Sequence, residues 1–293
     1  MNAAASYLRE LEAALHVRGP GRRRFLVECR DHLADASEAY GPDEAVRRFG
    51  PIAEVVRGIE VEVAVRRARV ATLLVAAAVV AVAASTVMML DATDASRSAP
   101  VAWAVVFFGS AQTAAAATFL ALLRAAAMRA EEGTPAELAL LCRRNGVALV
   151  FSALTMFAVG AAVPGDTAAW RILLGPLSAV VAGMALVRAY APARRHRGDE
   201  ERVVHPPLAD LMSAARLSPI VGTPAWSTRP GAVLAPALFV CTIAAAWWGY
   251  HDDHGTAADA AAAAGIEAAC LLAGFALLGP ILGLFARSRS TTE

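Results

Sequence analysis

The residues of this chain that could do chemistry are few and scattered. His251-Asp252-Asp253-His254 sets two imidazoles three positions apart with two carboxylates between them, and such ligands suit Zn or Cu when a third group converges. No second cluster in the sequence supplies that third group, so a short solvated polar loop is the other reading. Glu267 lies inside an apolar run, and an ionisable group at membrane depth costs ~2.5 kcal/mol or more. It needs a partner or a neutral state, and Arg171 is the nearest candidate in depth. The pair reads either as a proton or ion site or as a structural hydrogen bond near the interface. His16, His32, His196 and His205 have no catalytic neighbour at a recognisable spacing. The sequence has no H-E-x-x-H, G-x-x-x-x-G-K-[ST] or G-x-S-x-G, and no G-x-G-x-x-G after a strand. Neither an enzyme nor a cofactor or metal site is expected.

The elements that must position these residues are long apolar runs. Val70–Leu90 is uncharged over a length that matches the ~30 Å hydrocarbon core of a bilayer, and five more runs follow near 101–123, 147–163, 168–190, 232–250 and 260–285. With 57% hydrophobic residues and a mean hydropathy of +0.50, 293 residues cannot fold around one water-soluble core without exposing large apolar patches. The predicted fold class is all-α, with a small N-terminal cytoplasmic helical domain followed by a six-helix transmembrane bundle.

The formal charge is only +1, but its distribution carries information. All 27 basic residues are Arg, and 18 of them lie from Arg66 onward. With the N-terminus in the cytoplasm, 16 of those fall on the cytoplasmic side and only Arg97 and Arg171 outside, as short cytoplasmic loops demand. Both termini are therefore expected in the cytoplasm of a multi-pass protein of a bacterial inner membrane. Trp103, Trp170, Trp247, Trp248 and Tyr250 fall at predicted outer ends, and Tyr190 and Trp226 at inner ends, where amphipathic rings favour the headgroup level. The first span follows a charged amphipathic segment and is expected to remain as an anchor, not a cleaved signal.

Cys29, Cys142, Cys241 and Cys270 lie in predicted cytoplasmic or intramembrane positions and read as small apolar residues. Gly279 and Gly283 form a G-x-x-x-G that permits close helix approach, within this chain or between copies of it. Pro176, Pro236 and Pro280 interrupt three runs, as in ordinary membrane helices or in the broken helices of transporters. In the cytoplasmic loop 191–231, Arg194, Arg195 and Arg197 suit anionic lipid. Leu208, Leu211, Met212, Ala215 and Leu217 recur at helical spacing and could lie in the interface or dock on the N-terminal unit.

Residues 1–65 precede the membrane part 66–293. Between Met1 and Ala68, 11 Arg balance 11 Asp/Glu, and apolar residues recur at helical spacing. Leu8, Leu11 and Leu15 mark one helix, and Phe25, Leu26, Cys29, Leu33 and Ala36 a second. Pro42 to Gly50 form a short third, and Ile52, Val55, Val56, Ile59 and Val63 begin a fourth that has no breaker before Leu90.

Tyr7, Leu8, Leu11 and Leu15, then Arg22, Arg23, Glu28, Asp31, His32 and Leu33, then Gly41, Glu44, Ala45, Phe49 and Gly50 carry a resemblance. This first fifth of the chain resembles the HAAS domain, a helical signalling module associated with helix-turn-helix regulators, and the related permease prefix domain. Ile52 departs from the family pattern, which more often has a small or acidic residue after the Pro. The resemblance implies a membrane-anchored cytoplasmic module that acts on a PadR-type transcription regulator; the net charge of +1 gives no signal for direct contact with nucleic acid, and none is expected. Arg22, Arg23, Asp31, Glu44 and Arg47 have no core role at this spacing and are the candidate partner-binding face. Two functions remain: a membrane signalling or interaction protein, and a small transporter or permease subunit with a regulatory prefix.

Overall fold

The computed structural model describes residues 3–17, 20–91, 101–128, 134–162, 169–191, 210–211, 231–251 and 255–284. Among the described residues there is no strand; the helices are α1 Ala3–Ala14, α2 Pro20–Tyr40, α3 Pro42–Phe49, α4 Ile52–Asp91, α5 Val101–Ala127, α6 Pro135–Ala162, α7 Ala169–Tyr190, α8 Gly231–His251 and α9 Ala257–Leu282, and residues 210–211 are helical as well.

The first three helices and the start of α4 enclose one core. Tyr7, Leu11, Leu15, Cys29, Leu33, Ala45 and Val56 are buried in it, with Phe25, Phe49 and Ile59 packed at its edge. The short α3 is set by its own sequence: Pro42 in the first turn, Asp43 and Glu44 against the positive helix end, and Arg47 and Arg48 against the negative one. Gly50 ends it at φ 92°, a conformation that other residues rarely adopt, and its N–H bonds the Val46 carbonyl. The Tyr7 hydroxyl donates to the Gly50 carbonyl at 2.8 Å while its ring meets Phe49 edge-on at 5.6 Å, so α1 is pinned to the α3–α4 corner.

From Ile52, α4 runs 40 residues without interruption, passing from that core into the apolar bundle. Four helices cross in alternating directions, which the layers of packing record. Val61, Val65 and Ala68 of α4 meet Ala121 and Ala125 late in α5, Leu138 and Leu141 early in α6, and Ala189 at the end of α7. At the far end Trp103 and Phe107 of α5 pack on Ala158 and Val159 of α6, and the Trp103 indole donates to the Ala158 carbonyl. Thr72, Ser85 and Thr86 satisfy their hydroxyls on carbonyls of their own helix, as polar groups in an apolar medium must.

The pair α8 and α9 forms a hairpin. Thr256 and Asp259 cap the start of α9 reciprocally, and a Cβ on Gly255 would collide with the Gly249 carbonyl, so only glycine fits that tight connection. At the other end Gly283 adopts φ 71° and its N–H bonds the Gly279 carbonyl. The G-x-x-x-G pair thus splits: Gly279 is buried, and Gly283 terminates the helix.

Five of the described helices are long and apolar enough to cross a membrane: those that carry 52–88, 105–127, 135–160, 234–251 and 257–282. Within α7 a shorter apolar helical segment, Gly175–Tyr190, is described. Outward surfaces are apolar as well, with Phe157, Leu277, Val187 and Val80 exposed by 67–74%. Water would penalise such a surface, whereas acyl chains would not.

Candidate functional site

The most concentrated chemistry in the bundle is an ionic cluster that joins α5, α6 and the segment before α8. Arg144 of α6 is fully buried and Asp210 is 2% exposed. Arg144 Nη1 lies 3.1 Å from Asp210 Oδ2 and also donates to the Leu120 carbonyl at 2.9 Å, while its Nε donates to the Leu282 carbonyl at 2.9 Å. The other Asp210 oxygen accepts from Arg124 Nη1 at 2.9 Å. Arg124 also pairs with Glu137, whose second oxygen accepts from the Thr134 N–H at 3.0 Å as part of the α6 cap.

Two guanidiniums, Arg124 and Arg144, therefore face two carboxylates, Asp210 and Glu137, with the Arg143 charge close enough to act on Arg144. Leu282 is the last residue of α9, so its carbonyl is one that the helix leaves without an internal partner. Arg144 supplies one, and ties α5, α6, α9 and Asp210 together. The cluster contains no nucleophile. It can hold segments in register, and it can come apart when a charge is removed. Beside it, the Asn145 amide donates to Thr72 Oγ1 at 2.9 Å, linking α6 to α4.

The sequence gives a reason to set Arg143 and Arg144 in a loop, since they stand just before the run at 147–163. Instead α6 starts at Pro135 and both arginines are inside the helix. Thr134-x-x-Glu137 is the signal that could have shown this, because a Thr followed three residues later by Glu marks a helix start. Nothing local announces Asp210 as the partner.

Glu267 is 92% shielded from solvent, and one of its oxygens accepts from the Gln112 amide of α5. Its other oxygen has no partner among the described residues. Cys270 is one turn along α9, with its sulfur 3.8 Å from where a Cβ of Gly109 would stand, so α9 lies close against α5 here. Arg171 is in α7, but its side chain, like those of Trp170 and Trp248, lies outside the described residues.

His251 stacks on the Trp247 ring at 3.8 Å, and its Nδ1 is 3.1 Å from the Trp247 carbonyl. Asp252, Asp253 and His254 lie outside the described residues, as do Arg194, Arg195, Arg197 and Trp226. Among the described residues no three metal-ligating side chains converge. The four cysteines are free.

On the N-terminal unit, Arg22 is half-buried and donates to the Glu12 carbonyl at 2.8 Å, so it closes the end of α1 as well as facing outward. Glu44 is bridged by Arg48 at 2.8 Å and by Arg47, and these hydrogen bonds, that from Arg48 first, hold its carboxyl below the usual carboxylate range. Arg48 also covers the Tyr40 ring at 3.9 Å. Arg23 and Asp31 are exposed on α2. Among the described residues no hydrogen bond or ion pair joins the α2 members of this set to Glu44 and Arg47. Burial, with the neighbouring Glu28 charge second, pushes the Cys29 thiol up to about 11. That thiol stays neutral and unreactive near pH 7.

No family model, curated protein or solved structure matches this chain.

Proposed function

We propose that this chain is a multi-pass membrane protein with six spans and both termini in the cytoplasm, whose N-terminal helical unit binds and regulates a PadR-type transcription regulator. The observation that carries the reading is α4. One helix supplies Val56 to the N-terminal core and Val61, Val65 and Ala68 to the bundle, so a tilt or rotation of the bundle reaches the cytoplasmic unit without a flexible joint. The HAAS-like residues Tyr7, Leu11, Leu15, Leu33, Ala45 and Phe49 contribute to that same core, which leaves Arg23 and Asp31 on the surface for a partner.

The test is a crosslinking pull-down of the full-length protein from native membranes. A helix-turn-helix regulator should be recovered. Changing Arg23→Glu together with Asp31→Arg should weaken that complex and alter target-gene expression at constant protein level, and the association should weaken with salt. Arg22 is left intact in this design because it holds the end of α1. Recovery of no regulator would overturn the reading.

A second reading, a small transporter or permease subunit with this unit as a regulatory prefix, draws on one observation: the buried Glu267 with an unpartnered oxygen beside Gln112. A proton-coupled flux in reconstituted vesicles, lost on Glu267→Gln, would favour it.

A further inference from the structure

A cleft of about 900 Å³ opens where the N-terminal unit meets the bundle, between α4, the end of α7 and the residues after α1. Its polar lining is His16, Glu60, Arg66, Arg67 and Arg188, with the His16 ring 3.3 Å from the Glu60 carboxylate, and its floor is apolar, with Val70 and Ala71 of α4 and Ala185 and Ala189 of α7. The charges of the rim are not equivalent. Arg66 is held by Glu62 at 2.6 Å, and Glu60 is turned inward, where it accepts from the His16 N–H at 3.3 Å. Among the described residues neither Arg67 nor Arg188 has an ion-pair or hydrogen-bond partner, and both are exposed. Two uncompensated guanidiniums thus face a cleft whose floor is hydrocarbon.

We propose that this cleft binds an anionic phospholipid, with Arg67 and Arg188 on the phosphate and the start of an acyl chain along the Val70 side. A planar guanidinium presents paired N–H donors that match phosphate oxygens, and a second one favours a headgroup that keeps its net negative charge. The floor continues onto outward apolar surface, since Val70 is 58% exposed and Val187 70%. That continuity fits an amphiphile whose chain remains in the bilayer, and a free anion would leave the floor unused. The site would fasten the N-terminal unit to the leaflet beside α4, and rests on the membrane reading given above.

Native mass spectrometry of the full-length protein in detergent, titrated with phosphatidylglycerol or phosphatidylcholine, tests it. The wild type should retain phosphatidylglycerol in preference. Arg67→Ala with Arg188→Ala should lower that affinity about tenfold or more, the effect expected of two basic residues at a membrane surface. Arg67→Lys with Arg188→Lys should restore part of it, and thermal unfolding should hold steady in both variants because neither residue is buried. Equal retention of phosphatidylcholine, or unchanged binding in the alanine variant, would overturn the proposal. So would displacement of the lipid by inorganic phosphate at millimolar concentration, which would mark a site for a free anion. Partitioning of the chain into water without detergent is a separate measurement, and that outcome would strike the membrane reading itself.

Discussion

Arg144 and Asp210 stand 66 residues apart in sequence and 3.1 Å apart in space, both almost fully enclosed. The same guanidinium reaches the Leu120 and Leu282 carbonyls, so one side chain draws together three helices and the segment before α8.

Removing one partner of such a cluster leaves an uncompensated buried charge. Asp210→Asn is expected to destabilise the protein by about 3–5 kcal/mol, measured by denaturant unfolding in detergent micelles. Arg144→Met should be harmful too. The double variant Arg144→Met, Asp210→Asn should cost less than the sum of the two single changes, by about 0.5–3 kcal/mol of coupling. Strict additivity would show that the pair does not act as a unit.

Glu267→Gln should fold and insert normally, because the amide oxygen still accepts from Gln112. Gln112→Leu removes that donor from a buried acid, and a cost of about 1–3 kcal/mol is expected in the same unfolding assay. A stability unchanged by Gln112→Leu would mean that the hydrogen bond contributes nothing.

Residues 1–65 expressed alone should be soluble and helical, since Leu11, Leu33 and Val56 close a core of their own. A unit this short is marginal, so Leu33→Ala, a change of about 2–5 kcal/mol at a buried leucine, should unfold it by circular dichroism. Raised Cys29 and Tyr7 ionisations add a pH dependence. Both groups are kept neutral mainly by burial, so their contribution is intact below the ordinary thiol value of 9.0 and is lost as pH rises toward about 11. The urea midpoint should be flat from pH 7 to 8 and fall at pH 10; a midpoint that rises would contradict the burial of Cys29.

A reporter active only in the cytoplasm should work when fused after Arg289 or within Glu131–Glu137, and fail after Asp94 or Asp253. Activity at Asp253 would sink the six-span arrangement.

Much of the helical plan is legible in the chain itself. Apolar runs of bilayer length can only be helices or barrel strands in lipid, and the Pro42, Gly50 and Thr256 signals act within a few residues of where they stand. Local chemistry determines such features, so the sequence carries them openly. The long α4 is of this kind, because no Gly or Pro between Glu60 and Leu90 gives the helix a reason to stop. Tertiary structure alone decided the partners. Gln112 meets Glu267 across 155 residues, and Arg144 meets Asp210 across 66. A guanidinium beside an apolar run looks like a loop residue until packing encloses it, and no periodicity in the chain encodes which distant carboxylate will neutralise it.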